Sequence, residues 1–235
     1  MLLNRFKLDW KYALGEILLI AIGVLIALAV DGWSEYQVER RLESEYINRI
    51  ENDLRSSLDT WDGHTARLES AIEFLEQMRN GEVDFVAQDN AEDVWAAYIT
   101  SHWFAPPAIR SSAFEELVST GRLSIIEDVV LRDLISTFYT EYSSVADMSA
   151  QMVDQSYTRF SRSTISYELF YAAQVLRVFD AANIRSSFED LRSRAEFGDL
   201  SNAQLTTHIS NIQFMKMYRD FAISLLDDIA EYEDR

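Results

Sequence analysis

The chain has 235 residues, a formal net charge of −18 and no cysteine. An acidic surface of this kind repels phosphate backbones and argues against nucleic-acid binding. The lack of cysteine excludes disulfides, thiolate metal sites and cysteine catalysis. Only seven glycines and two prolines occur, so residues that break helices are scarce and we expect an all-α fold.

The N-terminal region contains one segment that can cross a membrane. Ile17–Val30 is a run of residues without a charge or a hydrogen-bonding side chain. A bilayer core needs about 20 mostly apolar helical residues, and residues 12–31 supply that length, with the acid Glu16 near its start. Tryptophan and tyrosine are enriched at membrane interfaces. The predicted interface anchors are Trp10, Tyr12 and Trp33.

The charges on either side of this segment predict its orientation. Arg5, Lys7 and Lys11 precede it, whereas Asp31 and Glu35 follow it. The positive-inside rule therefore predicts a cytoplasmic N-terminus. No second long apolar run follows, so we expect one crossing, which in a bacterium would be of the inner membrane. The expected domains are a cytoplasmic segment at 1–11, a transmembrane helix at 12–31 and an acidic periplasmic helical bundle at 32–235.

A cleaved signal peptide is the alternative to a retained anchor. Ala27-Leu28-Ala29 has the small-x-small form of a cleavage site and follows a basic start and an apolar stretch. Glu16 and the flanking tryptophans suit an anchor better than a removable leader. We therefore expect the segment to be retained.

Four residues of the transmembrane segment share one helix face and form its predicted partner face. They are Glu16, Ile20, Gly23 and Ala27. Gly23 and Ala27 form a small-xxx-small pair, which allows a second helix to approach closely. An acid within a membrane is costly unless it meets protein or water. The alternative is that Glu16 extends to the cytoplasmic interface and the small residues are incidental.

Two stretches of the chain resemble a known family. The first reads Tyr12-Ala13-x-Gly15-Glu16-Ile17-x-Leu19, then Gly23-Val24-Leu25-Ile26-Ala27-Leu28, then Trp33; the second reads Ala113-Phe114-Glu115-Glu116-Leu117-x-Ser119-x-Gly121-x-Leu123. Together they are similar to the signature of an uncharacterised family of bacterial single-pass membrane proteins, classed as a domain of unknown function. The resemblance implies a membrane-anchored helical domain and implies no activity.

Apolar residues at helical spacing continue beyond the membrane segment and predict one long helix that ends at Asn80-Gly81, with a kink at Asp62-Gly63. The charges at its start, including Glu43, are expected on a solvated face. A second helix is predicted at 91–103, before the adjacent prolines. A capping box of Ser112 and Glu115 is expected to open a third helix, which Gly121 closes.

The C-terminal half predicts three further helices. A long one covers 128–171 with a break at 161–166, and a short one covers 187–196. A second capping box, Ser201 with Gln204, is expected to open the last helix, which runs to Glu233. The predicted buried stripe of that helix consists of Leu205, Ile209, Ile212, Met215, Ala222, Leu226 and Ile229. Antiparallel packing of the long helices would bury such stripes.

No motif of a catalytic, metal or cofactor site is found. The histidines His64, His102 and His208 lack the spacing of helical metal sites, so surface or capping roles are expected and no cofactor or metal is predicted. Aromatic residues cluster in two stretches and either fill the core or contact a protein. The candidate protein-contact aromatics are Trp95, Trp103, Phe104, Tyr167, Phe170 and Tyr171.

These features predict a non-enzymatic accessory or scaffold subunit. Its transmembrane helix would pack into an integral membrane protein complex within the lipid bilayer, and its bundle would brace that complex outside. Respiratory and photosynthetic complexes are candidate hosts, and no residue selects between them. The alternative is a periplasmic helical bundle that senses a small molecule and signals through a partner membrane protein.

Overall fold

The computed structural model describes residues 10–83, 97, 101, 108–166 and 189–234, apart from the side chains of residues 11–13. Every regular element among these residues is a helix, which confirms the all-α expectation. The elements are α1 (Trp10–Asn80), α2 (Ser112–Ser119), a 3₁₀ turn (Leu123–Ile125), α3 (Val129–Ser161) and α4 (Ala195–Glu233).

Helix α1 joins the apolar segment to the bundle without interruption. Its 71 residues span about 105 Å at a rise of about 1.5 Å per residue. The backbone remains helical through Asp62-Gly63, so the predicted kink does not interrupt the helix. The helix ends as predicted at Asn80, because Gly81 adopts a φ of +74° that few other residues tolerate. One rigid element therefore connects both parts of the protein.

Helix α4 packs between α1 and α3 and runs antiparallel to both. Near the start of the bundle, Tyr232 reaches Glu43 on α1, and farther along Arg219 reaches Asp62. Helices α1 and α3 run in the same direction, and Trp61 stacks on Tyr142 at a centroid distance of 5.4 Å. The three long helices form the predicted bundle, and α2 packs against α1.

The core is divided into two apolar clusters along the bundle axis. The cluster nearer the apolar segment includes Ile47, Ile50, Leu54, Trp61, Leu117, Ile135, Phe138, Leu225 and Ile229. The far cluster includes Leu75, Met78, Phe160, Ile165, Leu191, Phe197, Leu200 and Leu205. Buried polar side chains of α3 and α4 lie between them. These clusters hold the bundle together, since burial of apolar surface is the main stabilising term in folding.

The capping of α2 differs in detail from the prediction, whereas α3 begins where it was predicted. The N-cap of α2 is Ser111, whose hydroxyl lies 2.5 Å from Glu115 Oε1, whereas Ser112 donates to Asp53 on α1. Asp128 caps α3 by accepting from the first backbone N–H groups. The predicted end of α2 at Gly121 is confirmed, with a φ of +67°. The break predicted after residue 161 is confirmed as well.

The expected start of the last helix is wrong. Helix α4 begins at Ala195 and continues through Gly198, so Ser201 and Gln204 lie inside it and both are buried. An interior glycine costs about 1 kcal/mol, and the burial of Phe197 and Leu200 in the far cluster offsets it. Six of the seven residues of the predicted buried stripe are buried, and Ile209 is exposed.

Candidate functional site

The N-terminal part of α1 is an apolar helix that no other described part of the chain covers. The run Ile17–Val30 is exposed throughout, although its side chains are large and apolar. Among the described helices, α1 is the one whose length and composition allow it to cross a membrane. Soluble monomers rarely expose an apolar patch larger than a few hundred Å². The exposed apolar surface of this segment therefore points to membrane association.

The predicted partner face lies on this uncovered segment. Glu16, Ile20, Gly23 and Ala27 are all exposed, and a Cβ atom added to Gly23 would meet no atom within 4 Å. The helix geometry brings the four residues to one face. The face is free to accept a second helix.

The predicted interface anchors bracket the same segment. Trp10 and Trp33 are both exposed, and the side chain of Tyr12 lies outside the described residues. Along the helix the tryptophans are about 35 Å apart, close to the separation of the two headgroup layers of a bilayer.

The candidate protein-contact aromatics cannot be placed on a surface. Their positions lie outside the described residues. They are Trp95, Trp103, Phe104, Tyr167, Phe170 and Tyr171. His102 and the helix predicted around 91–103 fall almost wholly in the same parts of the chain.

Glu43 forms a buried polar contact where α1 enters the bundle. Its side chain accepts hydrogen bonds from the Tyr232 hydroxyl at 2.8 Å and the Glu127 backbone N–H at 2.6 Å, and it pairs with Arg40. Arg40 also donates to Glu127 Oε2 at 2.7 Å and to the carbonyl of Ile125 at 3.1 Å. These five residues, which we call the entry latch, connect α1, α4 and the turn before α3.

The latch corrects one prediction and fixes the angle of the exposed helix. Glu43 is 3% exposed, so its expected place on a solvated face is wrong. Burial, together with the hydrogen bond to Glu43, raises the pKa of Tyr232 to about 12. The tyrosine therefore stays protonated and remains a donor at neutral pH. Two other segments thus hold α1 at the point where it leaves the bundle.

Helix α2 is fastened to α1 by a second set of polar contacts. The Trp61 indole donates to the carbonyl of Ala108 at 2.9 Å, and Ser57 accepts from the Arg110 backbone N–H at 3.0 Å. Glu116 receives hydrogen bonds from Tyr46 and Arg49, each at 2.7 Å. The bond from Tyr46, followed by that from Arg49, lowers the pKa of Glu116. These contacts add to the hold of the bundle on α1.

A buried polar layer crosses the bundle between the two apolar clusters. His208 is 1% exposed, so the surface or capping role expected of it is wrong. Its Nε2 atom lies 2.7 Å from the carbonyl oxygen of Ser101, which also accepts from Gln204 at 2.9 Å. Asn211 accepts from Ser149 on α3. Burial lowers the pKa of His208, although the bond to Ser101 raises it.

The layer joins side chains of α3 and α4 to the carbonyl of Ser101. Among the described residues no group of three histidine, aspartate or glutamate side chains could hold a metal ion. Polar side chains that satisfy one another in a core favour one arrangement over shifted ones. We therefore assign the layer to specifying the packing of α3 against α4.

An open cleft of about 720 Å³ lies between the end of α3 and the start of α4, beside the far cluster. Arg159 and Arg162 come from α3 and its C-cap, and Glu196 and Asp199 come from α4. Thr164 holds Glu196 through its hydroxyl at 2.6 Å and its N–H at 3.2 Å. The sequence did not reveal this cleft, because its walls are distant in the chain and carry no motif.

Comparison with known proteins identifies a family and no activity. The model of DUF6090, a family of unknown function, matches residues 16–191. The match includes most of the exposed apolar segment and all of α2 and α3. No curated protein and no solved structure matches the chain.

Proposed function

The chain belongs to the DUF6090 family of unknown function, and from its own surfaces we propose that it is a non-enzymatic, single-pass accessory subunit of a larger membrane protein complex. Its apolar helix packs against a membrane helix of that complex, and its bundle braces the complex on the periplasmic side. The observation that carries this proposal is the uncovered apolar helix, which continues unbroken into the bundle.

The uncovered helix supports packing within a membrane. Glu16 would be costly in the membrane without a partner, and none of the described side chains donates a hydrogen bond to it. Gly23 and Ala27 on the same face allow a second backbone to approach closely. A partner helix that brings a donor near Glu16 would satisfy both features.

The stalk between the membrane segment and the latch supports a bracing role. Glu43 lies thirteen positions after Val30, which corresponds to about 20 Å along α1. The headgroup layer on one side of a bilayer is only about 5–8 Å thick. The bundle reaches α1 even closer to the membrane, since the Tyr36 hydroxyl donates to Glu127 at 3.5 Å. The bundle would therefore stand just above the headgroups, where it can contact the outer part of a partner. Exposed Trp33, Tyr36 and Val38 line the stalk.

The charge pattern supports a periplasmic bundle. Basic residues precede the apolar segment and acids follow it at Asp31, Glu35 and Glu39. Because the chain has no cysteine, single cysteines at Lys7 and Glu45 can be tested with a membrane-impermeant maleimide in intact inner-membrane spheroplasts. Labelling at position 45 alone supports this orientation, and labelling at position 7 alone reverses it.

The accessory role is tested by gentle extraction from native membranes, separation by native size and mass spectrometry of the proteins that co-migrate. We expect a companion in constant ratio to the chain. The variant Gly23→Leu/Ala27→Leu should release it, because the added side chains block close helix approach. The matched control Ala21→Leu/Ala29→Leu places the same bulk on the opposite face and should retain the companion.

Two results would contradict the accessory role. In one, the chain migrates without a companion under every mild extraction condition. In the other, both double variants retain the companion equally, which would show that the face of Gly23 takes no part. An intact mass that lacks the N-terminal segment would indicate a cleaved leader and would also overturn the proposal.

A further inference from the structure

Opposite charges line the cleft between α3 and α4, with the arginines on the α3 side and the acids on the α4 side. Arg159 and Arg162 are one helical turn apart on the α3 side. Glu196 and Asp199 are one turn apart on α4, on the face that also carries Thr206. All of these lie at the end of the bundle far from the apolar segment, since the neighbouring Asn202 accepts from Arg79 near the end of α1 at 3.3 Å.

No ion pair joins the arginines of the cleft to its acids. Neither Arg159 nor Arg162 forms a salt bridge with any described residue, although both share the cleft with two acids. Glu196 is held on its own side by Thr164. Arginines and acids that line one open cleft without an ion pair between them leave both charges able to bind a solute.

We propose that this cleft binds a small zwitterionic molecule that carries a carboxylate and an ammonium group. The carboxylate binds Arg159 and Arg162, since guanidinium groups donate paired hydrogen bonds to carboxylates. The ammonium group binds Glu196 and Asp199 on the opposite wall. The cleft volume of about 720 Å³ lies within the range typical of small-molecule sites.

The surroundings favour a zwitterion over a simple anion or cation. A simple anion would bind the arginines but would face the acids Glu196 and Asp199 and the strongly negative charge of the chain, −18. A simple cation would meet the two arginines. A molecule with both charges satisfies both walls. This binding does not depend on the accessory role, because the cleft lies far from the apolar helix.

The test is isothermal titration of the full chain in mild detergent with 4-aminobutyrate, glycine, butyrate and butylammonium. 4-Aminobutyrate, butyrate and butylammonium each have a four-carbon chain and differ in their charges. We expect at least one of the two amino acids to bind, and butyrate and butylammonium to bind at least about tenfold more weakly. The variant Arg159→Gln/Arg162→Gln should weaken amino-acid binding at least about tenfold, because charged hydrogen bonds are among the strongest polar contacts.

The control variant is Arg67→Gln, which changes an exposed arginine of α1 outside the cleft and should bind as the unmodified chain does. The proposal is overturned if neither amino acid binds at about 10 mM, or if butyrate binds as tightly as 4-aminobutyrate. Equal binding by the double variant and the control would also overturn it. Circular dichroism of each variant confirms that the substitutions leave the fold intact.

Discussion

Replacing Glu43 by alanine tests whether the entry latch holds the bundle on α1. The substitution removes the acceptor of the Tyr232 hydroxyl and of the Glu127 N–H. Arg40 keeps Glu127 Oε2 and the Ile125 carbonyl as acceptors, so the loss of its pairing with Glu43 costs less stability than the loss at the other two donors. We therefore expect Glu43→Ala to lower the free energy of unfolding and to loosen the point where the exposed helix leaves the bundle.

The expected loss is about 2–4 kcal/mol. A donor that loses its buried partner costs about 1–3 kcal/mol, and two donors lose their acceptor here. Tyr232 is only half-buried and can turn to water, which keeps the total below the sum of two full penalties. For a protein of this size a loss of about 3 kcal/mol lowers the Tm by about 6–12 °C.

The assay is denaturation of the full chain in mild detergent, with the loss of helix recorded by circular dichroism. Glu43→Gln keeps a carbonyl acceptor and should restore part of the loss. Glu45→Ala is the matched control: that glutamate is exposed and makes no hydrogen bond to a described residue, so its effect should remain within about 0.5 kcal/mol. If Glu43→Ala is no more destabilising than Glu45→Ala, the latch does not hold the bundle.

Three further predictions concern the bundle interior. Burial lowers the pKa of His208, so the unfolded state binds more protons than the folded state. The free energy of unfolding should therefore be highest above the ordinary histidine pKa of about 6.5 and should fall as the pH drops below it. In a series of denaturant midpoints measured against pH, His208→Gln should flatten this fall. Gly198→Ala should stabilise the protein by about 0.4–1 kcal/mol, since a Cβ atom there meets no atom within 4 Å. Gly81→Ala should destabilise it, because the φ of Gly81 is +74°. Equal shifts of the Tm for both variants in thermal melts would contradict this. Asn211→Ala should destabilise by about 1–3 kcal/mol by stranding the Ser149 hydroxyl, and adding Ser149→Ala should recover part of that loss in denaturant titrations.

The breaks at Gly81 and Gly121 were read correctly because their effects are local. Gly81 and Gly121 end α1 and α2 at positive φ, a conformation that glycine adopts without a steric penalty. Asp128 caps α3 through its own side chain. Signals of this kind depend on a few neighbouring residues and so are visible in the sequence.

The capping box of Ser201 and Gln204 shows where local signals fail. The pair has the spacing that opens a helix, yet both residues lie inside α4 and are buried. Gln204 instead donates to the carbonyl of Ser101, 103 residues earlier in the chain. A polar side chain at a helical position can cap a helix or join a core layer, and only its distant neighbours decide between these roles.

The sequence by itself determined the helical class, the uncovered apolar segment and most of the buried stripes. These properties follow from the run Ile17–Val30, from the scarcity of glycine and proline and from helical periodicity, each of which acts within one helix. Only the tertiary structure decided the burial of Glu43, the polar layer around His208 and the charged cleft. Glu43 and Tyr232 are 189 residues apart, and such contacts form when packed helices bring together side chains whose separation along the chain leaves no local pattern.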